Sequence, residues 1–394
     1  DISELADTQI AALATSQISA LSLTNVKSLS ATQVGALSAA QVGALSATNF
    51  SALDATQVGA LNETQIKGLT TAQLGGLTVT DIGELATTQL AALASTQIGA
   101  LSTTAFSALD ATQTAALTTT QIKGLTATQL KGLSTTDVGD LGDTQVGALT
   151  ATQLGALTAT GFSTLNQTQV AALSTTQVKG ITADQIKGLT TTDIGELADT
   201  QVAALSADQI KNLSATNVSA LSQTQIAALS NTQVQALSTT QLKGLTTTDI
   251  DELSATQVGA LSAAQITALA STQVQELSTT QIGGLSSTQI GAITPTNFSL
   301  LDATQFGALT STQLKGLTNS QLGALTTTNV GNLADTQVAA LSASQLGALN
   351  ATNFSALNGT QVAALTETQI KGVTATQLKG LTTTDIAELA TTQV

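Results

Sequence analysis

Set in register at Leu5, the chain reads LADTQIAA, LATSQISA, LSLTNVKS, LSATQVGA and continues in steps of eight residues, without insertion or deletion, to an incomplete forty-ninth octad, LATTQV. We letter the positions of the octad a to h. Position a is Leu in 46 octads, the exceptions being Ile181, Ile293 and Val373, and position f is Val, Ile, Leu or Phe everywhere but Thr114. Position e is Gln, Asp or Asn except at Ala105 and Gly161, while g and h are usually small. A linker has no use for such strict register. It marks a chain in which every repeat meets its neighbours in the same way.

Neither regular secondary structure can run through this period. In a continuous helix, eight residues at about 100° each leave a drift of roughly 80° per octad, so the leucines would wander around the helix. In a continuous strand, a and f have opposite parity and would face opposite sides. The chain must therefore restart once per octad. The restart signal is at b, which is Ser, Thr, Asn or Asp in 40 octads, with Gln usually three residues on. That is the capping-box pattern: the b side chain accepts from a free backbone N–H, and the Gln reaches back to the cap. Positions a and f then fall at the two sites of the hydrophobic staple. In the eight octads with Ala at b, and at Gly142, position c is Thr, Ser or Asp, which predicts a cap displaced by one residue. The only proline, Pro295, follows Thr294 and so takes the first helical position, where its missing N–H costs nothing.

Helices of one to two turns are marginal in isolation, so a and f must form one core shared between stacked repeats. Small residues at g and h would let adjacent coils approach closely. All eleven Lys fall at g, predicted to face solvent, and all six Phe (50, 106, 162, 298, 306, 354) fall at f, predicted to be core. The expected fold is all-α: an elongated solenoid or superhelix of very short capped helices, one per octad, continuous over 1–394. The alternative is a β-solenoid, in which the Thr-x-Thr of octads such as LTTTQIKG would form a flat ladder.

A longer period is superposed. The acidic octads place Asp81, Asp137, Asp193 and Asp249 at 56-residue steps; Asn329 follows after 80 residues and Asp385 after another 56. Phe50, Phe106, Phe162, Val218, Phe298 and Phe354 keep the same steps. Duplication of seven-octad blocks accounts for this, with three octads inserted in the long intervals, which suggests that three octads approximate one coil.

Composition removes several function classes. The net charge is −14 with no Arg, the wrong sign for gripping phosphates or an anionic membrane surface, and no apolar run approaches the length of a membrane helix. Nucleic-acid binding and membrane insertion are not expected. Without His or Cys, serine-triad and thiolate chemistry is excluded, and neither Walker nor Rossmann glycine patterns occur, so no enzyme is expected and no catalytic or cofactor-binding residue is assigned. The nearest approach to a metal site is Asp193, Glu196 and Asp199, three carboxylates within seven residues that could suit calcium. The other acidic octads do not keep the third acid, so the expectation is an acidic solvated face with no metal. Sequons such as Asn49-Phe50-Ser51 and Asn358-Gly359-Thr360 arise readily in a chain this rich in Ser and Thr.

The repeated LSxTQVxAL unit resembles the octapeptide arrays of very large bacterial secreted or surface proteins, including adhesin-like ones. The resemblance implies a bacterial, extracellular or cell-surface, structural role and carries over no active-site residues. The expectation is a rod, stalk or filament segment, and the alternative is a repetitive surface for carbohydrate, mineral or ice. The chain begins at e and stops at f with no distinct polar cap at either end, so continuation of the same array or self-association is expected.

Overall fold

A computed structural model describes residues 2–388 of the chain. Among these residues there is no strand: after a single 3-10 turn at Ile2–Glu4, 48 helices of four to six residues follow, one per octad. The all-α reading therefore holds, and the β-solenoid is overturned because the b hydroxyls that would have formed a flat ladder are spent as helix caps. They fall into two compact units, one built from the residues up to Leu205 and the other from Ser206 onward. The same rules build both.

Each helix begins at c. The b residue is extended, and its side chain accepts from the N–H of e, as when Ser30 accepts from Gln33 at 3.1 Å and Asn62 from Gln65 at 3.1 Å. Thr294 caps the N–H of Asn297, with Pro295 at the first helical position as its place in the octad predicts. Position a is also extended in many octads; Leu37, at φ −63° and ψ 143°, precedes the cap Ser38 at φ −73° and ψ 160°. Two extended residues thus turn the chain between helices. No described residue needs a positive φ to do so.

The displaced cap is not found. At Ala6, Ala86, Ala198 and Gly142 the extended residue remains b, and the helices still start at Asp7, Thr87, Asp199 and Asp143. The e amide N–H, with no side-chain acceptor at b, turns to the b carbonyl instead, as Gln9 does to Ala6 at 2.8 Å. Asp at c is then a first-turn acid, favoured there by the helix dipole.

Within each unit a helix packs on the one three octads further along, as Ala159–Ser163 does on Ala183–Gly188 and Ala215–Ser219 on Thr239–Gly244. Hydrogen bonds between coils span 25 to 31 residues, so a coil takes between three and four octads and three is the step between packed helices. The f and a side chains make the core: Ile66, Leu74, Leu154, Phe298 and Phe306 have no measurable exposure, and Leu37, Leu157 and Leu317 are buried beside them. Phe298 and Phe306 meet edge to face with ring centroids 5.4 Å apart, an arrangement aromatic quadrupoles favour. All six Phe are buried and all eleven Lys exposed, as their positions predict.

Small residues at g and h serve close approach at some positions only. A Cβ on Gly68 would lie 2.5 Å from the carbonyl oxygen of Ala39, and one on Gly372 2.5 Å from that of Ala343. Gly59, Gly83 and Gly195 have open space where a side chain would go.

Candidate functional site

The side chain that distinguishes this solenoid is the glutamine at e. It does more than close the capping box. Gln185 accepts through Oε1 from the Thr182 N–H at 2.8 Å and the Thr182 hydroxyl at 3.1 Å. Its Nε2 donates to the carbonyls of Leu154 at 2.8 Å and Leu157 at 3.0 Å, one coil earlier. Gln321, with no exposed surface, repeats this in the second unit with Thr318, Ile290 and Ile293. A carboxamide offers two donors and two acceptor lone pairs, and here all four are used. The accepting carbonyls are an f and the following a, at the C-terminal end of one helix, where carbonyls lack partners within the helix. Each helix, too short to satisfy its own end, is thus finished by the coil above it.

The sequence reading assigned Gln only the reach back to the cap. The inter-coil half was missed, although burial of an e residue beside f follows from adjacency in a helix whose f and a faces are both covered. The offset is constant: Gln33 donates to Leu5, Gln145 to Leu117, Gln241 to Leu213 and Gln361 to Leu333, always 28 residues earlier. In some octads with Asn in place of Gln the shorter side chain still reaches that carbonyl, as Asn49 to Leu21 at 2.8 Å and Asn297 to Leu269 at 3.0 Å, whereas Asn329 turns its Oδ1 to the cap Thr326. Asn49 is buried, which removes its sequon from access; Asn358 is a cap residue on the surface.

Aspartate at e cannot donate. In the acidic octads a serine from the g position 30 residues earlier donates to it instead: Ser51 to Asp81 at 2.6 Å, Ser163 to Asp193 at 2.5 Å, Ser219 to Asp249 at 2.9 Å, Ser355 to Asp385 at 2.5 Å, and Ser107 to Asp137. The same carboxylate oxygen accepts from the cap N–H, as from Thr78 at 2.7 Å and Thr190 at 2.7 Å. The acidic octads are therefore wired into the coil below, a role that the expectation of a simple solvated face did not contain.

Three residues after the Asp, at h, stands a second acid. Glu84 and Glu196 each bury one carboxylate oxygen with no hydrogen-bond partner. Burial pushes the Glu84 carboxyl above its ordinary value, and the negative charges of Asp81 and Asp54 push it further. Burial raises Glu196 likewise, helped by Asp193, and Glu252, helped by Asp249 and Asp251.

Of the candidate calcium residues, Asp193 is bound to Ser163 and the Thr190 N–H, Glu196 is half-buried, and Asp199 is an exposed first-turn residue of the next helix. Among the described residues no three acidic, His or Cys side chains are grouped so as to hold a metal ion. Nor, among them, is any helix long and apolar enough to cross a membrane. What this geometry does chemically is accept and donate hydrogen bonds between coils. No family model matches the chain, and no curated protein matches it.

Proposed function

We propose that this chain is a structural repeat protein, a segment of an extracellular rod, stalk or filament, with no catalytic role. The observation that carries the reading is the glutamine ladder: at the same 28-residue offset in both units, Nε2 of e ties one coil to the a carbonyl of the coil before it. The e amides and the a and f hydrocarbons hold coils together and the b side chains cap each helix, while d and the lysines at g are left to water. A repeat spent in this way supports length and resistance to pulling, with stability that adds coil by coil. Self-association or continuation into the same array is part of the proposal. The resemblance to bacterial surface octapeptide arrays supports the extracellular setting.

Electron microscopy and sedimentation of the purified chain test it. Rods or longer polymers are the expected result. A strictly monomeric chain that is retained on a glycan column or produces thermal hysteresis would replace the structural reading with a binding one.

A further inference from the structure

A chain of near-identical octads faces a register problem. If one coil slides over the next by one octad, leucines still meet leucines and glutamines still meet carbonyls, so the core and the ladder discriminate weakly against the slip. We propose that the Ser–Asp pairs are register keys, which make one stacking of the coils distinguishable from its neighbours.

Two independent observations carry this. In the structure, Ser51, Ser107, Ser163, Ser219 and Ser355 donate to Asp81, Asp137, Asp193, Asp249 and Asp385, each across the coil boundary. In the sequence, Ser occupies g seven times, at 19, 51, 107, 163, 219, 299 and 355, and the residue 30 positions later is never Gln: it is Asn49, Asp81, Asp137, Asp193, Asp249, Asn329 and Asp385. Opposite the five aspartates the hydroxyl stands where the donor of the ladder has been withdrawn, whereas Ser19 and Ser299, opposite Asn, turn back to the carbonyls of Ser16 and Thr296.

The key works by penalising the wrong partner. In register, the Asp carboxylate receives the cap N–H and the serine hydroxyl. Slipped by one octad, it would face a g residue eight positions to either side. For Asp81 these are Gly43 and Gly59, for Asp137 Gly99 and Ala115, for Asp193 Gly155 and Ala171, and for Asp385 Gly347 and Ala363, none with a side-chain donor. Only Asp249 would meet one, Lys211, and in one direction only. The carboxylate would keep the cap N–H of its own octad but lose the serine donor across the coil boundary. A charged acceptor deprived of that bond is costly, so the slipped coil is disfavoured. The spacing fits: the keys recur every 56 residues within the regular blocks, twice the 28-residue step that the glutamines keep, so every second coil is checked.

Two experiments on the full chain decide the matter. Ser163→Ala should lower the thermal midpoint, and adding Asp193→Gln should restore it, because the glutamine supplies the lost donor itself; a double variant no better than the single overturns the pairing. For register, Gly147→Cys and Ala172→Cys report on stacking, since a Cβ at Gly147 would lie 3.5 Å from that of Ala172, within disulfide reach. After refolding, the keyed chain should oxidise almost completely at this pair. A chain with all five serines changed to Ala and all five aspartates to Gln should remain helical but form the disulfide severalfold less. Equal yields in both chains would overturn the proposal.

Discussion

At the scale of the residue, the glutamine at e has a property that neither Glu nor Leu could supply: it accepts and donates at once, from a buried position. Gln321 bonds four groups with no exposed surface. Replacing it by Ala leaves the Ile293 carbonyl and the Thr318 N–H without their partners, while the Ile290 carbonyl keeps the Ile293 N–H. The change should destabilise by about 2–4 kcal/mol, at roughly 1–3 kcal/mol per group left unsatisfied. Gln321→Glu should cost more at neutral pH, because an ionised carboxylate would face those carbonyls. Its deficit relative to Ala should shrink on acidification, as the carboxyl protonates and can donate. Urea denaturation at several pH values measures both. Had the Ala variant proved neutral, the ladder would be incidental. Much of this residue's role was legible: its three-residue spacing from b gave the reach back to the cap. The donation from Nε2 was not, because it depends on which carbonyls lie one coil away, and no local spacing contains that number.

At the scale of the element, the helices show how little a helix needs when both ends are finished from outside. The start signals were readable, Pro295 among them, because capping is local chemistry. The displaced cap failed at Ala6 and Ala198 because the apolar frame of a and f fixes where the helix begins, and the N–H of e finds the b carbonyl more easily than the helix can shift. The glycines divide in a way the sequence hides. Gly195 has open space around its missing Cβ and lies inside the helix Thr191–Glu196; Gly195→Ala should stabilise by about 0.5–1 kcal/mol, the helix-propensity difference. Gly68 abuts the Ala39 carbonyl oxygen, so Gly68→Ala should destabilise through overpacking, by about 1–3 kcal/mol. Thermal midpoints moving in opposite directions are expected. Two changes of the same sign would contradict the packing described.

At the scale of the whole molecule, charge and repetition set the behaviour. Glu84, Glu196 and Glu252 are held above their ordinary value of 4.5 by burial and neighbouring acids. The folded chain therefore binds their protons more readily than the unfolded one, and stability rises as pH falls through their raised values, the gain being complete below 4.5. Asp302 runs the other way: its bonds from the Thr304 hydroxyl and the Gln305 N–H hold it below 3.8, so the stability it contributes is lost as pH falls below that value. The thermal midpoint should thus climb from neutral pH to about 4.5, and the climb should be smaller in a chain carrying Glu84→Gln, Glu196→Gln and Glu252→Gln. A midpoint that falls steadily over that range would contradict the placement of these acids. The fold class was legible in the sequence because one period is repeated throughout. The pairing of Ser with Asp across coils was legible only in retrospect, through the 30-residue offset that joins two positions with no local relation.

The central claim is that buried glutamine amides tie coil to coil, and hydrogen exchange at glutamine side chains tests it most directly. With selectively labelled glutamine, the carboxamide protons of Gln185, Gln321 and their counterparts should be protected like core backbone amides, while the exposed Gln9 and Gln17 exchange at the rate of free glutamine. If all the carboxamides exchange at the free rate while the helices persist, the coils are held by hydrocarbon alone and the ladder is not what binds them.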